Sequence, residues 1–174
     1  MTATYNDPNN VINVGTGSAV PASWFDTVRD NQEQNEISPG CHAVYLNNTS
    51  VSNNTLTAIV LDGTDIWDTD SYHSPSSNPS RAIVPAGLGG RYDIIGSILF
   101  ATNSNGFRQL NIRVNGSTDY PLIAVPSTSG APTLLTASIA LPLVATNYVE
   151  VCGYQNSGGA LLCSGRLILQ RRGR

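Results

Sequence analysis

Lysine is absent from this chain of 174 residues: its nine basic residues are all arginine, and twelve acidic residues leave a formal charge of -3. Counterion release on a polyphosphate or an anionic bilayer needs a concentrated basic surface, so neither a nucleic acid nor a membrane is expected as a partner. Long apolar runs are missing too. None approaches the roughly 18 residues of a membrane-spanning helix. The opening MTATYNDPNN lacks the basic start and apolar run of a secretory signal, so the protein is expected to be made and kept in a cytoplasm until something releases it. Cysteine is scarce and odd in number: Cys41, Cys152 and Cys163 do not make a disulfide framework. Charged residues make up 12% of the chain, and no Glu- or Ala-rich run of any length follows Asn35, which argues against a helical body.

What is abundant is Asn, Ser, Thr and Gly, arranged as punctuation between short apolar runs. The densest stretch is RAIVPAGLGGRYDIIGSILFATNSNGFRQLNIRVNG, Arg81 to Gly116, with strand-like runs at Ala82–Pro85, Arg91–Thr102 and Arg108–Asn115. In the middle run Tyr92, Ile94, Ile98 and Phe100 share one parity and Ile95, Leu99 and Ala101 the other. A strand apolar on both parities is expected to be covered on both faces. CHAVYLN, TLTAIVLD, DYPLIAV, LTASIALP, NYVEVCGY and ALLCSGRLILQ add further strands, with no helices between them. About nine short strands so spaced imply a sandwich or barrel and exclude a parallel α/β sheet.

The first forty residues read differently. Residues 1–17 are polar, with Val11, Ile12 and Val14 as an apolar island, and would be disordered or extended unless laid on something else. One short helix follows: Ser18 can cap it, Pro21 suits its first turn, and Ser38-Pro39-Gly40 stops it. Val20, Trp24, Phe25 and Val28 form a small apolar patch within it, either packed on its own domain or anchoring a partner. The chain therefore divides into an attachment segment, 1–40, whose contact residues would be Val11, Ile12, Val20, Trp24, Phe25 and Val28, and a β domain, 41–174.

Catalytic constellations are scarce. There are two histidines, His42 and His73, and no nucleophile elbow, His-Glu-x-x-His pair or phosphate-binding glycine loop. Asp62, Asp65, Asp68 and Asp70 fall within nine residues and would suit a calcium ion, a hard cation wanting six to eight oxygens, yet they match no EF-hand spacing; the alternative is turn-capping or solvated aspartates. His73, between Tyr72 and Ser74, would either line a ligand pocket or be hydrogen-bonded within the fold. Glu150 is the only glutamate after Glu36, and nothing in the sequence supplies the second carboxylate a glycosidase requires. No enzymatic activity and no cofactor are expected. Asn47, Asn48 and Asn115 begin Asn-x-Ser/Thr patterns, expected by chance in such a composition and unused without secretion.

Several motifs carry a resemblance. Gly90-Arg91-Tyr92, a strand ending in Phe100, Asn115-Gly116, NYVEV at Asn147–Val151 and Ser164-Gly165-Arg166-Leu167-Ile168 together resemble the globular heads of complement-type and tumour-necrosis-factor-like proteins, over residues 41–172. The resemblance implies an all-β fold: a ten-strand, two-sheet antiparallel jelly-roll sandwich that associates as a compact homotrimer, here preceded by an extended arm and one short helix. The segments WDTDSYHS, SNPSR and YQNSGG are similar to features of phage virion proteins with this fold. Separately, VPASWFDTVRDN at Val20–Asn31 resembles a short helical pattern, T-A-x-x-W-N-x-x-R-D-N, near the start of tailed-phage structural proteins, departing from it at Pro21 and at Phe25-Asp26.

That resemblance bears on the cysteines. A hairpin turning at Ser157-Gly158 would bring Cys152 opposite Cys163, within disulfide reach. The jelly-roll topology implies instead that the last two strands lie in opposite sheets and that both thiols stay reduced and buried.

Three functional classes are compatible with the chain. The first is a non-enzymatic phage virion protein: a trimeric capsid decoration attached through its arm to the major capsid protein or another virion protein. The second is a minor tail or fibre-tip protein whose head binds a host receptor or glycan. The third is a free soluble ligand, disfavoured by the missing signal peptide. No coiled-coil shaft precedes the head, which favours decoration over a fibre.

Overall fold

The computed structural model describes residues 3–7, 10–14, 26, 28 and 38–172. The chain forms two compact units, Met1–Ile37 and Ser38–Arg174. In the first, β1 (Ala3–Asp7) and β2 (Asn10–Val14) pair antiparallel, from Ala3 opposite Val14 to Asp7 opposite Asn10. The extended arm thus takes the form of a ribbon paired with itself. Asp26 and Val28 have helical backbone, Val28 half-buried. The expected cap Ser18, first-turn Pro21 and patch residues Val20, Trp24 and Phe25 lie outside the described residues, as do the side chains of Val11 and Ile12.

The second unit is all-β. Its strands are β3 (Gly40–Val44), β4 (Thr49–Val51), β5 (Thr57–Ala58), β6 (Trp67–Asp68), β7 (Ala82–Ile83), β8 (Gly90–Phe100), β9 (Phe107–Val114), β10 (Thr118–Pro126), β11 (Thr133–Leu143), β12 (Tyr148–Gln155) and β13 (Leu161–Arg172). One antiparallel sheet runs β10-β9-β12-β5, with β7 also on β12. The other runs β11-β8-β13-β3-β6, with β4 also on β13. This is a jelly-roll sandwich with eleven strands, three of them only two residues long. β9 and β10 form a hairpin at Asn115-Gly116, where both residues have positive φ (54° and 70°), the requirement of the tight turn that matches strand twist.

The core lies between the sheets. Tyr92, Ile94, Ile98 and Phe100 of β8 meet Leu110 and Ile112 of β9, Val149 and Val151 of β12, and Leu167 and Leu169 of β13, all fully buried. Cys152 and Cys163 stand in opposite sheets, and with Cys41 they are free, buried thiols. Burial pushes the acid constants of Cys152 and Cys163 up to about 12, which leaves them unreactive thiols. At the end where β9 begins, the core closes on a buried cation: Arg108 donates from Nη1 to the carbonyls of Asn105 and Phe107 and from Nη2 to that of Asn103. It thereby fixes the β8–β9 loop.

Two strand expectations need correction. TLTAIVLD is paired as a strand only at Thr57–Ala58. Beyond it, the Ile59 amide bonds to Val151 but the Leu61 amide turns to Pro79, because the chain leaves the sheet to begin a long crossover. The second concerns β8, expected to be covered on both faces. Its even-numbered residues from Tyr92 to Phe100 are buried, whereas Arg91, Ile95 and Leu99 are exposed. Among the described residues of the β domain, no second layer covers that face.

Candidate functional site

The uncovered face of the six-stranded sheet is the most distinctive surface of the β domain. Register places Trp67 of β6, His42 of β3, Ile168 of β13, Ile95 of β8 and Ser138 of β11 in one transverse row. The adjacent row is Val44, Arg166, Ser97 and Thr136, and the next carries Ser164, Leu99 and Leu134. Side chains directly opposite on paired strands share a face, so these rows form one continuous surface. Its apolar members are open to solvent: Leu134 is 64% exposed, Leu162 52%, Leu99 40% and Ile95 36%. Polar contacts across it are few. Ser97 Oγ lies 3.0 Å from Thr136 Oγ1, and Arg172 Nε donates to Asp93 Oδ2 at 2.5 Å near the start of β8.

A second incomplete surface lies along one side of the sandwich. Among the described residues β10 pairs only with β9 and β11 only with β8, so both are edge strands, and they lie against each other. The inward residues Tyr120, Leu122 and Val125 of β10 and Ala137, Ile139 and Leu141 of β11 are only half-buried against the core. Pro121, Pro126 and Pro142, with a register shift between Pro121 and Ile123, interrupt backbone donors along these edges and discourage strand addition.

The outer face of the five-stranded sheet contrasts with both. Arg113 holds Asp119 through Nε and Nη2 at 2.7 and 3.2 Å, and Gln109 donates to Asn111 at 2.7 Å. Glu150, buried, accepts from Ser80 Oγ at 3.0 Å and Arg81 Nε at 3.2 Å, while the Arg81 guanidinium sits 4.2 Å over the Tyr148 ring. Its carboxylate is engaged in a structural ion pair.

The four aspartates of the 62–70 stretch each hold the surrounding loop. Asp62 accepts the amides of Leu46 and Asn47 on Oδ1 and the Asn47 side-chain amide on Oδ2. Asp68 accepts the amides of Tyr72 and His73, and Asp70 accepts from Thr69 Oγ1. Asp65 Oδ1 lies 2.8 Å from His73 Nδ1, and His73 Nε2 lies 3.1 Å from the Pro79 carbonyl oxygen, tying three parts of the crossover together. Among the described residues, no three His, Cys, Asp or Glu side chains converge as metal ligands. The sequence singled out His73 and the aspartates but passed over His42. Its position in an alternating strand with outward Val44 was the available signal, and the pairing with Trp67 and Ile168 was not.

No protein-family model matches the sequence, and no curated protein does at a significant level. Among solved structures, the globular domain of zebrafish complement 1qA protein is similar over 78% of this chain and 98% of its own, with a TM-score of 0.58 at 9% identity. PRD1 vertex protein P5 is similar over 78% of this chain and 99% of its own, with a TM-score of 0.54 at 19% identity. Murine APRIL is similar over 75% of this chain and 98% of its own, with a TM-score of 0.53 at 14% identity. The fold is a jelly roll of the tumour-necrosis-factor and complement 1q type, and one structure that shares it is a phage vertex protein.

Proposed function

We propose that this chain is a non-enzymatic structural subunit of a phage virion whose β domain assembles as a homotrimer through the open face of β11-β8-β13-β3. The observation that carries the reading is the pairing of two unfinished apolar surfaces on one subunit: the exposed row around Ile95 and the half-covered edge of β10 and β11. Two different patches that fit each other make a head-to-tail contact, and such a contact is satisfied throughout only when the ring closes. Burying a fully exposed Leu or Ile contributes about 1.5–3 kcal/mol, and Ile95, Leu99, Leu134 and Leu162, each already partly covered, would contribute that in proportion to their exposed fraction against the entropy of association. The likeness to a vertex protein supports a place on a virion, and the jelly-roll resemblance supports threefold association.

On this reading the head decorates the capsid and residues 1–40 attach it to the major capsid protein or a neighbouring virion protein. The polar outer face of the five-stranded sheet, with Tyr148, Arg113 and Asp119, favours a second reading in which a tail or fibre-tip head presents that face to a host receptor or glycan. Copy number on purified particles separates the two: abundance comparable to the shell subunits supports decoration, and a few copies support the tail.

Sedimentation of the full chain tests the assembly. A trimer is expected, reduced to a folded monomer by the double variant Ile95→Glu, Leu134→Glu with an unchanged far-ultraviolet spectrum. A wild-type monomer at micromolar concentration would show the reading to be wrong.

A further inference from the structure

We infer that His42 makes assembly through the open face acid-sensitive: the subunits join while the imidazole is neutral and separate when it takes up a proton. The inference rests on the assembly reading above and adds a regulation to it.

The argument begins with position. His42 lies in the same row as Trp67, Ile168 and Ile95, so any partner that covers Ile95 and Ile168 also withdraws His42 from water. Of the flanking side chains in register, Ile168 offers a charged ring nothing in return, and Trp67 carries no negative charge and offers only the weak attraction of an indole face. Of the charged groups facing it, Arg166 on β13 is a cation one register step away, opposite Val44. Asp65, from the loop before β6, is of the helpful sign but is already engaged with His73 Nδ1 at 2.8 Å. Asp68 on β6 spends both carboxylate oxygens on the amides of Tyr72 and His73. Asp93, farther along the face on β8, is paired with Arg172. Desolvation, then Arg166, hold the His42 acid constant below the ordinary histidine value, with Asp65 opposing them.

The direction follows. Burying a second cation beside Arg166 in an apolar contact is costly, so the assembled state resists protonation more than the free subunit does. A group whose acid constant falls on assembly favours assembly above its free-subunit value and opposes it as the pH drops below. Each histidine whose proton assembly expels makes the apparent dissociation constant rise about tenfold per pH unit in the acid range.

The test is sedimentation of the full chain between about pH 7.5 and 5, with near-ultraviolet dichroism to separate dissociation from unfolding and ring proton resonances to follow His42. Expected are a trimer at the upper pH, folded monomers at the lower, and a transition that coincides with His42 titration. His42→Gln, neutral throughout, is expected to stay assembled at the lower pH. A wild-type trimer unchanged across the range overturns this inference and leaves the assembly reading standing, as does dissociation while His42 is still neutral, or equal acid dissociation of the Gln variant. A monomer at every pH overturns both.

Discussion

Tyr72 and Tyr92 meet hydroxyl to hydroxyl at 2.9 Å, their rings edge to face with centroids 6.1 Å apart, both wholly inside the protein. The Tyr92 hydroxyl donates to the Leu88 carbonyl, so its proton is committed and the Tyr72 hydroxyl must be the donor between them. This directed chain ties the crossover to the start of β8. Burial raises the acid constants of both phenols, that of Tyr72 well above the usual tyrosine range because its proton is also the one given to Tyr92.

The two phenols are therefore not equivalent. Tyr92→Phe strands both the Tyr72 hydroxyl and the Leu88 carbonyl, whereas Tyr72→Phe leaves the Tyr92–Leu88 bond intact. Chemical denaturation is expected to show the Tyr92 variant less stable by about 2–3 kcal/mol and the Tyr72 variant by about 1 kcal/mol, since an orphaned buried group costs more than a lost bond. Equal losses would contradict the directed chain.

Gly96 sits in the middle of β8 on the core side, where a Cβ would lie 2.9 Å from Val151 Cγ2 and 3.1 Å from Ile112 Cδ1. Gly96→Ala is expected to lower the unfolding free energy by about 1–3 kcal/mol, through overpacking between the sheets. Gly159, with nothing within 4 Å of a built Cβ, is the control, and Gly159→Ala is expected to be near neutral. Similar denaturation midpoints for the two variants would mean the sheets separate more readily than their close packing implies.

Asp62 supplies a pH signature of the crossover. Hydrogen bonds from the Asn47 amide, the Asn47 side chain and the Leu46 amide hold its acid constant down to about 2, from an ordinary 3.8. A depressed carboxylate stabilises the fold fully above its unfolded value and loses that contribution as the pH falls from about 3.8 toward about 2. The gap in urea midpoint between wild type and Asp62→Ala is accordingly expected to narrow over that window. A gap unchanged down to pH ~2 would show that the carboxylate charge is not what holds the turn.

Much of the β domain was legible because its signals are local. The apolar runs of β8 and β12, the Asn115-Gly116 turn and the lack of helix-favouring runs after Asn35 each depend on residues near one another in sequence. TLTAIVLD misled for the converse reason: its apolar residues are buried by the crossover that returns at Pro79, and burial reads the same in sequence whether or not a strand accompanies it.

By itself the sequence determined that β8 has two apolar parities and that the chain is a β-rich body with little charge. Only the tertiary structure decided which parity is core, with Tyr92 and Ile94 inside and Ile95 and Leu99 left open, because that depends on which strands the second sheet brings over it. It also decided that Cys152 and Cys163 stand in different sheets and that His42 shares a row with Trp67, Ile168 and Ile95. A strand's period fixes which residues share a face, whereas the neighbours of that face come from distant parts of the chain, so its chemistry appears only once the sheet is assembled.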